Sequence, residues 1–379
     1  MRLFKEKMAW AAPLAVILII ALFSVNLFAQ GDPKVRNLPV AFIVSDEGQH
    51  VDAVKAAVEQ MGKGVDGAEP VLAFTVENEE DIEQLFADKQ YYAAFVIPEG
   101  YNDAVDNVMK NNESAKLGIY INQGFNYTGA NFAKTALNGL IAQINTQYAT
   151  NFVEQMGETK IDATQATVLV NPIVSEEKVF NEITAATANG SAPVLMAVPA
   201  WVGALIGGFV LFLTSSAILK REILTRKQTL SLMIGQILFG VIIALFSGFT
   251  VATLATLAGI SMPSYWLVAF FVSFAAFCFF LLVSAITAWI GKPAITLFMV
   301  VMLLGMGVLM TPMEMLPDFF VNFIRPWVPL RFASEGLREI FYFGSGFYTG
   351  SSFNTILGIG IVGFIIYGIS IFKPVKTKK

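Results

Sequence analysis

One cysteine and one histidine are all that 379 residues contain. Cys278 sits in an apolar run, which excludes a disulfide framework and a cysteine-held metal cluster. His50, close to Asp46 and Glu47, reads as a solvated residue at a loop-to-helix junction, so general-base chemistry is poorly supplied. Charge is scarce too: 14% of the chain is charged against 55% hydrophobic, with a mean hydropathy of +0.61. That balance excludes an ordinary soluble protein and makes the chain an integral membrane protein. A phosphate-cradling G-x-x-x-x-G-K-[ST] loop is missing, because Lys63 follows Gly62 without the upstream spacing and Lys292 is followed by proline. The chain therefore does not hydrolyse ATP by itself, and no cofactor, metal or nucleic acid is expected on it.

Long apolar runs dominate what is present. Met8 to Phe28 is uncharged over 21 residues, enough to cross a hydrocarbon core of about 30 Å. A signal peptide is the rival reading, since Arg2, Lys5 and Lys7 form a basic head, but the run is longer than a signal core and Leu27 and Phe28 spoil a small-residue cleavage site. Five further spans follow, at Ala192 to Leu219, Leu230 to Leu257, Tyr265 to Ile290, Ala294 to Met310 and Phe353 to Phe372. None contains Asp, Glu, Lys, Arg or His, and Gln236 is among the few strongly polar side chains at depth. Carriers driven by protons or voltage need such groups inside the bilayer, so both are disfavoured.

Between the first and second runs the pattern changes. Residues 30–193 hold 23 acidic and 10 basic residues, a net of −13 in a chain whose total is −4. From Leu38 to Gly124 short apolar runs alternate with helical patterns: Val40 to Val44, Val51 to Met61, Val71 to Val76, Ile82 to Phe86, Ala93 to Ile97 and Leu117 to Ile121. This is the alternation of an α/β domain in water. Asn126 to Met156 reads as one long helix, with Leu137, Leu140, Ile141, Ile144, Tyr148 and Phe152 on one face. Its opposite face is polar but almost uncharged, which suits a helix packed on more than one side.

Orientation follows from the basic residues of the connections. With the N-terminus inside, twelve Lys and Arg fall on the cytoplasmic side and three on the short outer segments. Both termini are then cytoplasmic and residues 30–193 extracytoplasmic. The expected fold is a polytopic α-helical membrane protein, six transmembrane helices with an α/β extracytoplasmic domain between the first and second. Its parts are a head and first helix at 1–29, the outer domain at 30–193, and a five-helix domain at 194–379 with an outer lip at 311–352.

The lip is too polar to cross the bilayer. Pro312, Pro317, Pro326 and Pro329 break it into short helical pieces. From Leu330 onward the apolar Leu330, Ala333, Leu337, Ile340 and Phe341 fall on one side, while Arg331, Glu335 and Arg338 fall together on another. Glu335 stands four residues after Arg331 and three before Arg338, so one carboxylate is placed to serve two guanidiniums. Gly203 and Gly207, four apart in the second span, allow a neighbouring helix to approach closely.

The order P-x-E-x-L-P, an amphipathic turn, P-x-x-P-L and E-G-L-R between the last two spans resembles the signature of ABC-2-type permeases, the membrane subunits of one class of ATP-driven exporters. LPVAFIVSDEG at Leu38, AAFVIPEGY at Ala93 and APVLMAVPAWVGALIGG at Ala192 are similar to the phage-infection-protein branch of that family. The resemblance implies a permease that moves an amphipathic or lipid-like substrate outward, with a separate cytoplasmic ABC ATPase using ATP and a second permease chain, alike or different. It also implies a coupling role for the loop after the second span, Lys220, Arg221, Glu222, Arg226 and Lys227, and a gate at Pro312, Glu314, Pro317, Pro329, Arg331, Glu335 and Arg338. The alternative is a non-transporting cell-surface receptor or a scaffold for a secretion apparatus.

Overall fold

The computed structural model describes residues 35–64, 69–156, 163–221 and 225–373. The run Met8 to Phe28 lies outside them, as do Glu222 and the side chains of Lys220 and Arg221. Two compact units divide the chain, Lys34–Ile183 and the remainder.

The first unit is a mixed five-stranded sheet with helices on both faces. Its elements are β1 Leu38–Val44, α1 Gln49–Met61, β2 Leu72–Glu77, α2 Ile82–Ala87, β3 Ala93–Ile97, α3 Tyr101–Asp106, α4 Val108–Asn111, β4 Ala115–Asn122, α5 Tyr127–Met156, α6 Ala163–Val170 and β5 Ile173–Phe180. Strand order is β2-β1-β3-β4-β5, parallel except where β3 meets β4. Successive side chains of a strand point to opposite faces. Val40, Phe42, Phe95 and Ile97 accordingly join the core under α1, α3 and α5, while Ala41, Ile43, Ala94 and Val96 join Ile82 and Phe86 of α2 on the other side. The periodicity of α5 is used as the sequence implies, since Leu137, Leu140, Ile141, Ile144 and Tyr148 are buried. Its polar face is open among the described residues of this unit: Gln143, Thr146, Gln147 and Thr150 are exposed.

Two further features differ from the sequence reading. IVSEEKVF is a strand, β5, paired parallel to β4 at the sheet edge. Its charges are those of a protected edge, and the sequence pattern did not single it out as a strand. His50 is not simply solvated: its Nε2 lies 2.9 Å from Asp106 Oδ1 and its Nδ1 2.9 Å from Tyr148 Oη, so one ring joins α1, α3 and α5.

The second unit is helical. It comprises α7 Ala192–Arg221, α8 Arg226–Leu257, α9 Tyr265–Ile290, α10 Pro293–Met310, α11 Pro329–Tyr342 and α12 Gly350–Ile369. Five helices among the described residues are long and apolar enough to cross a bilayer, α7 to α10 and α12. Caps mark their ends. Thr225 and Gln228 form a reciprocal capping box at the start of α8, and Ser264 Oγ accepts from Leu267 N at the start of α9. At its other end α9 stops at Gly291, whose φ of 82° is open to glycine at little cost.

Helix α9 is the hub. Most of it is buried, whereas α8 and α12 present mainly exposed apolar faces, the arrangement of one helix surrounded by others whose outer sides meet lipid. Close approach is bought by small residues: Gly248 of α8 lies against Ser273 and the carbonyl of Ala269, and Gly360 of α12 against Cys278. Trp201 of α7 packs edge-on to Phe279 of α9 at 5.0 Å and to Phe298 of α10 at 5.9 Å between ring centres, filling the middle of the bundle.

Candidate functional site

Three places in the helical unit bring functional side chains together. The first is the lip. After Pro312 a 3₁₀ turn covers Met313–Met315, a π-helical turn covers Phe320–Ile324, a second 3₁₀ turn covers Arg325–Trp327, and Pro329 opens α11 at its first turn. The prolines therefore punctuate the segment as their missing donors require. Leu330, Ala333, Leu337 and Ile340 of α11 are buried in the bundle core, and Gly336 sits against Phe271 of α9. Gly305 of α10 faces Val328, where an added Cβ would stand 2.7 Å from a valine methyl carbon.

On the other side of α11, Glu335 Oε1 lies 3.4 Å from Arg331 Nε and 3.3 Å from Arg325 Nη2. The Arg325 contact is a hydrogen bond; the Arg331 contact is an ion pair whose N–H is not aligned on the carboxylate. Burial pulls the Arg331 guanidinium below its ordinary range, Glu335 opposes that, and the charge of Arg325 adds to it. Its plane also rests on the Phe332 ring, 4.4 Å from the centroid. Arg325 touches Met313 Sδ at 3.7 Å with its other nitrogen and so connects the first turn of the lip to α11. Arg338 lies further along, where its charge acts on the Tyr342 phenol. The second guanidinium found on Glu335 thus comes from Arg325, a residue the sequence pattern did not single out. Glu314 sits partly buried in the 3₁₀ turn, and Pro317 precedes the π-helical turn.

The second place is the opposite boundary. Arg226 and Lys227, at the start of α8, are exposed, and the Arg226 guanidinium lies 5.9 Å from the centre of the Phe372 ring. Next to it Lys373 Nζ donates to the carbonyls of Ala288 at 3.0 Å and Trp289 at 2.8 Å, closing the end of α9 with a cation where the helix dipole is negative. The sequence pattern did not single out Lys373. Of the coupling residues, Lys220, Arg221 and Glu222 fall on side chains or residues outside those described.

The third place is the seam of α7 and α8, which run antiparallel. An added Cβ on Gly203 would stand 2.6 Å from Ser247 Oγ, and one on Gly207 2.9 Å from Ile243 side-chain carbons. The neighbour that these glycines admit is therefore α8 of the same chain. Towards the Lys373 boundary, Gln236 donates to the Leu211 carbonyl at 3.0 Å and accepts from the Tyr367 hydroxyl of α12. That fixes the orientation of the Gln236 carboxamide.

The described residues form a bundle of five apolar helices long enough to cross a bilayer, with an ion-paired amphipathic helix packed at one end, the architecture of a multi-pass membrane protein. Residues 8–373 match the family described as ABC-2 family transporter protein, and the chain belongs to that family. A crystallised domain described as part of an ABC type-2 transporter from Thermotoga maritima MSB8 is similar to the chain at 20% identity, over 37% of this chain and 86% of that domain, with a TM-score of 0.25. No curated protein matches. As a member of this family the chain is a membrane permease component of an ABC transporter and not itself a catalytic enzyme.

Proposed function

We propose that this permease moves an amphipathic, lipid-like molecule outward through the bilayer, powered by a separate cytoplasmic ABC ATPase and working with a second permease chain. Both termini are placed in the cytoplasm and residues 30–193 outside, so that the lip lies at the outer boundary and Arg226 and Lys227 at the inner one. The observation that carries this reading is the combination of family membership with spans that hold no Asp, Glu, Lys, Arg or His. Without ionisable groups at depth the spans lack the usual means of coupling to a proton or voltage gradient, so the energy enters from outside the bilayer. Exposed cations on a firmly capped helix start, Thr225 to Lys227, give an ATPase a rigid basic handle. The second reading, a phage-infection-like receptor or secretion scaffold, rests on the outer sheet domain alone and needs no ATPase.

Purification from its native membrane in mild detergent tests the reading. An ABC ATPase should co-purify and its turnover should rise with the permease present. Full cellular activity after loss of every ABC ATPase would transfer the assignment to a receptor or scaffold.

A further inference from the structure

The two edges of the five-stranded sheet differ in chemistry. β5 carries Glu176, Glu177 and Lys178, charges that discourage the addition of a further strand. β2, at the other edge, reads LAFTVE, with no basic residue and no proline, and its Val76 side chain is 74% exposed. Among the described residues no segment pairs with its outer side. An open edge of this kind is a template for another strand.

The pairing with β1 decides which groups point outward. Val71 O accepts from Leu38 N at 3.0 Å, and Leu38 stands beside Leu72 in the parallel register. Alternate residues of a strand aim their backbone groups to the same side, so Val71, Ala73, Thr75 and Glu77 serve β1. Leu72, Phe74 and Val76 then present N–H and C=O to the open side. Their side chains share the face of the sheet that carries α1. Leu72 is fully buried there, Phe74 is partly buried edge-on to Phe42 at 6.3 Å, and Val76 lies bare beyond it. Thr75 is exposed on the other face.

We infer that β2 pairs antiparallel with β2 of a second copy of this chain, about a twofold axis through Thr75, joining two five-stranded sheets edge to edge. In this register Phe74 of each copy exchanges backbone hydrogen bonds with Val76 of the other, so an aromatic ring covers an exposed β-branched side chain twice. Thr75 faces Thr75 in the close, non-hydrogen-bonded pair. Glu77 meets Ala73 rather than another carboxylate, which keeps like charges from standing opposite one another. Shifting the register by two residues one way sets Val76 against Leu72, whose buried side chain is out of reach; the other way sets Phe74 against Asn78. The self-complementary sequence of side chains is what selects a second copy over an unrelated extended peptide, because a twofold contact uses the same residues on both sides. The inference rests on the reading that a second permease chain is present, and makes that chain identical to this one.

The test uses the full chain in its native membrane. Thr75→Cys should form a disulfide between copies under mild oxidation, since a non-hydrogen-bonded antiparallel pair holds its Cα atoms about 4.5 Å apart, within reach of the bond. Cys278 is buried and adds no background. Glu176→Cys, exposed on the opposite edge, should not crosslink. Adding Val76→Pro to Thr75→Cys removes an outward N–H without touching the bonds to β1, and should lower the crosslinked fraction about tenfold. Val76→Lys, which keeps the backbone intact, should act in the same direction. Thermal unfolding of the purified chain shows whether each variant is folded. No crosslink at Thr75→Cys, equal crosslinking at Glu176→Cys, or indifference to both Val76 variants would overturn the inference. The mass of the purified chain in mild detergent tells this failure from that of the wider reading: a dimer that does not crosslink at Thr75→Cys loses the strand contact alone, whereas a chain that is also monomeric loses the identical partner.

Discussion

Arg325 and Glu335 meet at 3.3 Å across a break in the helix, between a 3₁₀ turn that ends at Trp327 and a helix that begins at Pro329. The same carboxylate oxygen holds Arg331 from within its own helix. One acidic side chain thereby fixes the angle between two pieces of the lip. Both partners are about one-third exposed, so each pair contributes about 0.2–1 kcal/mol, and the geometric effect exceeds the energetic one.

Glu335→Ala should abolish or severely reduce transport while leaving membrane insertion and abundance intact. Arg325→Ala should do most of the same. A double-mutant cycle on activity should return a coupling between the two larger than that between Glu335 and Arg338. Normal activity of Glu335→Ala would remove the lip from the mechanism.

At the other boundary, Arg226→Glu with Lys227→Glu should release a co-purifying ATPase without unfolding the permease. Thr225→Ala should cost about 1 kcal/mol through loss of the cap and weaken the same association by letting the helix start fray. Pull-down yield read beside thermal stability separates the two effects.

Gly207→Leu should be the most damaging of the seam variants. A leucine there must displace Ile243 from a position only 2.9 Å away, and overpacking of this kind costs about 1–3 kcal/mol or more. Gly139→Ala, in open space on α5, should leave the fold unchanged. Thermal unfolding in one detergent compares them.

Sidedness can be read with maleimide. Cys278 is buried, so introduced thiols report without background. Lys63→Cys, on an exposed outer-domain side chain, should label in intact cells, and Lys227→Cys only after permeabilisation. The reverse pattern would invert the topology.

The sheet unit should lose stability in acid and in strong alkali. Asp46 is held below the ordinary carboxylate range, chiefly by the Asn102 backbone N–H, and Glu177 by the hydrogen bond from Lys134 at 2.6 Å. Depressed values mean stabilisation that is present above the unfolded carboxylate range and lost as pH falls through the folded values. Burial, with the Asp106 charge, pushes the Tyr148 phenol up to about 12. A raised value means stabilisation present below about pH 10 and lost as pH rises towards 12. Limited proteolysis across pH should show both limbs, and Asp46→Asn should make the acid limb shallower.

Hydropathy and period were enough to place five spans, the long helix of the sheet unit and the apolar face of α11, because burial of those elements repeats along the chain at fixed spacing. Contacts that cross between elements left no such trace. Gln236 and Tyr367 are 131 residues apart, and Arg325 reaches Glu335 across a proline break that helical spacing does not describe. Edge strand β5 was hidden by its own charges, which a solvent-facing strand carries but a pattern of alternating apolar residues does not register. His50 was under-read for a similar reason, its two partners lying on helices 56 and 98 residues away.

Helices α7 and α8 touch most tightly at mid-length, with space on either side of the contact. Such a pair is a lever on a fixed fulcrum: rocking one helix against the other narrows one end as it widens the other.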